Sequence, residues 1–437
     1  MIEVREKPKM VERAFLVGVR MVEESAEFID SLLDELAELV GTLRIGCVGR
    51  TVAKIRESRP RFLLGSGKVE EILQEARDLR ADCLVFDAEL TPAQQRNWEK
   101  ATGLCVIDRQ EIILDIFSER AQTREAVLQV ALARAEHSLP RLKNAWTHLS
   151  RQRGGGVAQR GEGEAQIELD SRMVRQRISR LKRELEAVVR HRHTQRKLRE
   201  RVPLPTAAIV GYTNAGKSTL LNALTGAHVL AEDKLFATLD PTTRQLPLEG
   251  GRKILLTDTV GFVQRLPHQL VDAFKATLEE AVVADYLIHV LDASHPEVTR
   301  HAETTLSVLK ELGAADKHII TVYNKVDQIP LEDRPLRAGK GGSAQEGFGT
   351  NGRPDVFYVS ARSGQGLGCL ASRLDDLIRG SVEVAEFFIP HDRYEIVARL
   401  HAAGAVRHEK AKSKGVHIVG SVPERMRETL EPYRVTG

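Results

Sequence analysis

The stretch 206-TAAIVGYTNAGKSTLLNALTG-226 changes its hydrophobic period in mid-course. Ala207 to Val210 form an uninterrupted apolar run of strand character, while Leu220, Leu221 and Leu224 recur at helical spacing. Between them, Gly211-Tyr212-Thr213-Asn214-Ala215-Gly216-Lys217-Ser218 has the form G-x-x-x-x-G-K-S and leads through Thr219 into the helix. Glycines at both ends let the backbone curl so that its N–H groups point at phosphate oxygens. The helix N-terminus adds positive potential. Lys217 is placed to reach β- and γ-phosphates, and Ser218 to ligate Mg²⁺. Strand, glycine turn and helix in this order open a mostly parallel α/β sheet.

Further strand-like runs follow at 252–258, 285–294, 317–324 and 355–361. Three of these end in polar motifs, where a parallel sheet presents residues to a ligand. Asp258-Thr259-Val260-Gly261 supplies a carboxylate that can hold Mg²⁺ through water and a Gly261 N–H for a γ-phosphate. Asn324-Lys325-Val326-Asp327 supplies a carboxylate that can accept from N1–H and N2–H₂ of guanine; adenine lacks that donor pair, so an unpaired buried carboxylate penalises ATP. Asn324 and Lys325 are read as bracing the loop and covering the base. In Ser360-Ala361-Arg362 the Ala361 N–H is read as a donor to guanine O6. GTP and GDP with Mg²⁺ are therefore the implied ligands. Position 262, where many such sites place a water-orienting Gln, is Phe262, which cannot hydrogen-bond a water. Slow intrinsic hydrolysis, stimulated by a large partner, is the consequence expected.

Outward from this unit (202–380, with a polar, glycine-rich insertion at 331–354), the chain divides into three more regions. Residues 1–120 alternate strand-like and helical segments, the mark of a small parallel α/β domain. Residues 121–201 carry Leu128, Leu132, Ala135, Leu139, Leu142, Trp146 and Leu149, then Val174, Ile178, Leu181, Leu185 and Val188, in two a/d-like seams. The pattern predicts an antiparallel helical hairpin, kinked at Pro140, with its joint at 151–165. Residues 381–437 read as a small α+β domain. The fold class expected is α/β multidomain.

From Arg172 to Arg201 the second hairpin helix holds twelve Lys/Arg against three Glu, although the whole 437-residue chain has a net charge of only +3. The joint adds Arg151, Arg153 and Arg160, with Gly154, Gly155 and Gly156 between the last two. Glycine allows close approach to a phosphate ribbon, and Arg supplies forked donors and a stacking plane. Nucleic-acid contact is the reading favoured over a solvated face. Four dispersed cysteines, with no Cys or His at zinc-ligand spacing, argue against a zinc site and suggest a reduced, cytoplasmic protein. No run approaches a membrane span, so no membrane partner is expected.

The motif set resembles the translation-factor-related GTPases, and LFATLDPTTR (235–244) resembles the switch I of the Obg and HflX types. That resemblance implies that Phe236, Ala237, Thr238, Leu239 and Asp240 line the nucleotide and that Thr238 ligates Mg²⁺, with Thr242 and Thr243 as rivals. Lys217, Thr238 and Gly261 are then the residues closest to catalysis. Asn214 resembles the Asn that coordinates K⁺ in some related GTPases; a turn-stabilising role is the equal alternative. RQRGGGVAQRGEGEAQIELDSR (151–172), GSGKVEEI (65–72) and VIDRQEIILDIFSERAQTREAVLQVALA (106–133) are similar to the HflX family, over most of residues 10–330. Glu162, where the family usually has Pro, and the 331–354 insertion depart from it. The resemblance implies a monomeric cytoplasmic GTPase that binds the large (50S) ribosomal subunit and its rRNA through the hairpin loop, splitting or rescuing ribosomes under stress. A signalling GTPase with a coiled-coil docking arm for a protein is the alternative. The GSGK at 65–68 lacks a full phosphate-loop pattern and reads as a turn and helix start. Asp87 and Asp108, at strand ends, could suggest a second site, but helix capping is the commoner role and the reading preferred.

Overall fold

A computed structural model describes the chain except for residues 1–10, 146–159, 200–203, 227–234, 237, 249–251, 266–278, 331–354, 381–382, 403–404, 423–425 and 436–437. The chain forms two compact units, residues 1–186 with 265–273, and residues 187–264 with 274–437.

The first unit is built on strands β1 (Arg13–Met21), β2 (Gly46–Ile55), β3 (Cys83–Phe86) and β4 (Cys105–Asp108), all parallel, in the order β2-β1-β3-β4. Helices α1 (Ala26–Thr42), α2 (Ser66–Asp78), α3 (Pro92–Thr102) and α4 (Arg109–Arg120) connect and follow them. β1 and β3 bury Phe15, Val17, Leu84 and Phe86 against Ile72, Val106 and Trp98. Near-continuous apolar strands of this kind are what a parallel sheet covered on both faces requires. Trp98 is fully buried, with its indole N–H donated to Phe62 O at 2.9 Å. Gly65 stands at the N-cap of α2, so GSGK is a helix start, and Lys68 Nζ is engaged by Glu71 and Thr51.

Helix α5 (Arg124–Ala145), with Pro140 inside it, and the 40-residue α6 (Arg160–Arg199) follow. α6 begins at Arg160, inside the stretch that composition alone assigns to the joint. Its glycines, Gly161 and Gly163, are tolerated in a helix at about 1 kcal/mol each. Along α6, Val174, Ile178, Leu181, Leu185 and Val188 are buried or half-buried, as are Ser171 and Glu184, whereas Arg172, Arg175, Arg177, Arg180 and Arg183 are exposed. Lys182 Nζ pairs with Glu136 of α5 at 2.8 Å. The segment Arg151 to Gly156 lies outside the described residues, as do Trp146 and Leu149.

The second unit holds a six-stranded sheet, in the order β10-β9-β8-β5-β7-β6. Its strands are β5 (Thr206–Gly211), β6 (Thr242–Pro247), β7 (Lys253–Asp258), β8 (Tyr286–Asp292), β9 (His318–Asn324) and β10 (Asp355–Tyr358). Only β6 is antiparallel, paired to β7 at the sheet edge. Helices α7 (Lys217–Thr225), α8 (Val298–Glu311) and α9 (Leu367–Gly380) accompany the sheet. α7 and α9 bury Leu220, Leu221, Leu370 and Leu374 with Ile209, Leu256, Ile288 and Val322 from the strands. α8 brings His301, Thr305, Val308 and Leu309 inside. A separate antiparallel sheet, β11 (Glu383–Pro390), β12 (Val406–Lys412) and β13 (Gly415–Val422), has the order β11-β13-β12 and shares a core with α10 (Tyr394–Ala402) through Phe387, Ile418, Val397 and Leu400.

Candidate nucleotide-binding site

β5, β7 and β9 all end at the same edge of the sheet, and their tips bring the predicted motifs together. Gly211 closes β5 at φ +151°, and a Cβ there would sit 2.2 Å from Val290 O, so only glycine fits. Asn214 and Gly216 are left-handed, at φ +58° and +89°. These values curl the chain from Tyr212 through Ala215 into the N-terminus of α7, where Lys217, Ser218 and Thr219 open the helix.

Asn324, at the tip of β9, is the brace of this loop. Its Nδ2 donates to Ala215 O at 2.9 Å and its Oδ1 accepts the Ala361 N–H at 2.9 Å. The Ala361 amide, read as a donor to guanine O6, thus faces Asn324 within the protein, because a side chain at the end of β9 reaches both neighbouring loops at once. Lys325, at the same tip, meets the neighbouring strand. Its Nζ pairs with Asp292 Oδ2 at 2.8 Å, which ties the β8 and β9 tips together; Asp292 is held below the usual carboxylate range, burial being outweighed by Lys325 and Ser294. Asp327 is half-buried in the one-turn 3₁₀ segment after β9. Ser360 is buried and accepts the Ser363 N–H, while Arg362 is exposed beside it.

Three oxygens from separate segments converge at the mouth of the loop. Ser218 Oγ lies 2.7 Å from Thr238 Oγ1 and 2.6 Å from Asp258 Oδ2, and Thr238 Oγ1 donates to Asp258 Oδ2 at 3.0 Å. Asp258 Oδ1 is buried and has no hydrogen-bond partner among the described residues. Mg²⁺ holds oxygens at about 2.0–2.1 Å in an octahedron, whose neighbouring ligands are about 3 Å apart. The hard-oxygen set and the orphaned carboxylate oxygen fit such an ion. The rivals to Thr238 are placed elsewhere: Thr242 and Thr243 belong to β6, and Thr243 Oγ1 bonds Thr257 Oγ1 at 2.9 Å.

Lys217 is 6% exposed, and its Nζ donates to Tyr212 O at 2.8 Å. Burial pushes its ammonium down to about 8, against the attraction of Asp258; burial likewise raises the Asp258 carboxyl. Each group thus lacks a full counter-charge, which an anionic triphosphate and a cation would supply.

The segments read as switches, 235–240 and 258–262, both touch the loop. Phe262 N donates to Gly211 O at 3.1 Å and Thr213 N donates to Phe262 O at 2.7 Å. A Cβ on Gly261 would lie 2.6 Å from Thr213 Cα and 2.9 Å from Lys217 Nζ, so glycine is required by close approach. From switch I, Phe236 is buried at φ +55°, Leu239 is buried and Asp240 half-buried; Ala237 lies outside the described residues. Periodicity did not reveal the pillar beside the site. The Tyr212 ring stacks on His301 at 3.7 Å and 5°, and Tyr212 Oη accepts the Gln264 N–H at 2.7 Å. Burial pushes His301 to about 4, so its ring is neutral.

A glycine-curled loop ahead of α7, with the 258–261 and 324–327 motifs at neighbouring strand tips, defines a P-loop protein of the GTPase class. Residues 30–118, 120–199 and 206–325 match the families described as "GTP-binding GTPase N-terminal", "GTP-binding GTPase Middle Region" and "50S ribosome-binding GTPase". The chain is 50% identical to the GTPase HflX of Akkermansia muciniphila over 99% of both chains, and 41% identical to that of Chlamydia pneumoniae over 96% of this chain and 88% of the relative. It belongs to the HflX family of GTPases. A solved GTP-binding protein from Sulfolobus solfataricus, in complex with GDP, is 26% identical over 84% of this chain and 98% of that chain, with a TM-score of 0.43.

Proposed function

We propose that the chain is a Mg²⁺-dependent GTP-binding and hydrolysing switch that associates with the large ribosomal subunit and acts there to split or rescue ribosomes. The observation that carries the switch is the meeting of Ser218, Thr238 and Asp258, one residue from each of three segments, within 3.0 Å. Ser218, Thr238 and, directly or through water, Asp258 would hold the ion, which supplies charge neutralisation at the β- and γ-phosphates. Lys217 balances phosphate charge. The Gly261 N–H and Thr238 read the γ-phosphate, so its loss frees both switch segments and changes affinity for the partner. Asp327 selects guanine. Phe262 is buried and apolar, so the main chain and the ribosome must orient the attacking water, and intrinsic hydrolysis is slow until the ribosome engages.

The ribosomal part rests on the family of residues 206–325 and on the exposed arginines of α6. A one-signed arginine row suits an RNA phosphate backbone, with affinity falling steeply as salt rises. Arg151, Arg153, Arg160 and the intervening glycines extend the row in sequence. Sedimentation with purified 50S subunits, in a non-hydrolysable GTP analogue and with or without RNase, tests the proposal. Co-sedimentation that RNase abolishes, and that deletion of 151–165 weakens without altering GTP affinity, is expected. Undiminished binding by the deletion would remove the hairpin from the mechanism.

A further inference from the structure

One residue of the phosphate loop is bonded to both switches. Thr213 gives its main-chain N–H to Phe262 O at 2.7 Å, on the switch II side, and its hydroxyl accepts the Phe236 N–H at 3.0 Å, on the switch I side. These bonds are shielded from water: Thr213 is 6% exposed, and Phe236 and Phe262 are each 2% exposed. Phe236 stands at φ +55°, a left-handed conformation that a bulky aromatic residue keeps only when its surroundings fix it. Its buried ring and the Thr213 hydroxyl are what fix it here. Two residues further on, Thr238 reaches Ser218 and Asp258. Withdrawing the hydroxyl would cost the buried Phe236 amide this bond and loosen the approach of Thr238 to its partners.

We infer that Thr213 is a positioning residue for GTP hydrolysis: through its hydroxyl it locks switch I closed over the phosphates, and through its amide it fixes the switch II main chain beside Gly261. The inference rests on the guanine-nucleotide reading of the site. It answers a need created by Phe262, which leaves water alignment to the main chain of the two switches. Geometry that a Gln side chain would otherwise impose must then come from whatever holds those main chains still. Thr213 touches both, so its hydroxyl matters most when both switches are closed, in the triphosphate state. The GDP state, which needs the curl of the loop but not switch I, is indifferent to it.

The test uses the full chain and compares Thr213→Val, which keeps the shape and loses the hydroxyl, with Thr213→Ser, which keeps the hydroxyl. In Thr213→Val, kcat for GTP hydrolysis should fall about tenfold, as for one buried hydrogen bond realised on the way to the transition state. GDP affinity should stay within about twofold, a margin small beside that loss. Hydrogen exchange at the Phe236 amide, measured with a non-hydrolysable GTP analogue, should quicken in Thr213→Val and return to the wild-type rate in Thr213→Ser, together with kcat. Should Thr213→Val fail to fold, Thr213→Ala carries the same comparison. A Val or Ala variant with normal kcat, a parallel loss of kcat and GDP affinity, or failure of Ser to rescue would overturn the inference. A wild-type chain that binds no GDP would instead remove the nucleotide reading beneath it.

Discussion

Two sheets of this molecule, one parallel and one mostly parallel, carry carboxylates at strand tips, and the two sets are treated in opposite ways. At the tips of the first sheet, Asp108 accepts from Leu90 N at 3.2 Å, from Glu111 N at 3.0 Å and from Arg141 Nη2 at 3.0 Å. Asp87 is paired with the Arg109 guanidinium at 2.9 Å. In the second sheet, Asp258 is just as buried, yet one of its oxygens has no partner among the described residues, and burial drives its carboxyl upward. The two sets differ in whether the fold completes the carboxylate's hydrogen bonds. Completing them stabilises the protein, and leaving a buried oxygen open costs stability.

The comparison makes the effects of substitution diverge. The largest is expected at Asp327. Asp327→Asn should lose GTP affinity by roughly a thousandfold and gain xanthosine triphosphate, since a site built to pair two donors rejects a base with the wrong pair; competitive nucleotide titration measures the swing. Next is Asp258→Asn, which should weaken magnesium-dependent GTP binding about a hundredfold, or roughly 2.7 kcal/mol. The melting temperature of nucleotide-free Asp258→Asn should stay level or rise, because a costly buried charge is gone. Asp108→Asn should behave in the reverse sense, losing about 1–3 kcal/mol of stability from its unmatched partners with GTP affinity intact. If calorimetry and melting show the two variants alike, the distinction between the sheets is wrong.

The smallest effect concerns acid. His289 lies in the interior on β8, and burial pushes it from 6.5 to about 4. The unfolded chain binds its proton before the folded one does, so stability is lost as pH falls from 6.5 towards 4. His289→Leu should flatten that decline in a series of melting temperatures, while leaving the curve above pH 7 unchanged in slope.

Much of the second unit was legible because its signals are local. A strand that becomes a helix across G-x-x-x-x-G-K-S announces itself in eight residues, and the motifs at 258–261 and 324–327 sit at ends of apolar runs that β7 and β9 reproduce. β6 was not legible as a strand: Thr242-Thr243-Arg244-Gln245 carries no apolar alternation, and it is a strand only because the β7 edge offers an antiparallel ladder. Arg160 opening α6 was hidden by the glycines that follow it. The Tyr212–His301 stack joins residues far apart in sequence, and no periodicity points to it.

Sequence alone determined the chemistry available: the glycines, lysine, hydroxyls and carboxylates of the strand-end motifs, and an apolar Phe262 where a hydrogen-bonding side chain is absent. Those are properties of side chains and of glycine backbones, fixed by composition at a given spacing. Tertiary structure decided which of the available groups are spent on one another. It gave the Ala361 amide to Asn324, set Thr238 rather than Thr242 or Thr243 against Ser218, and left one oxygen of Asp258 open. Such pairings depend on distances between strand tips, which residue spacing along the chain does not fix and only the packed sheet sets.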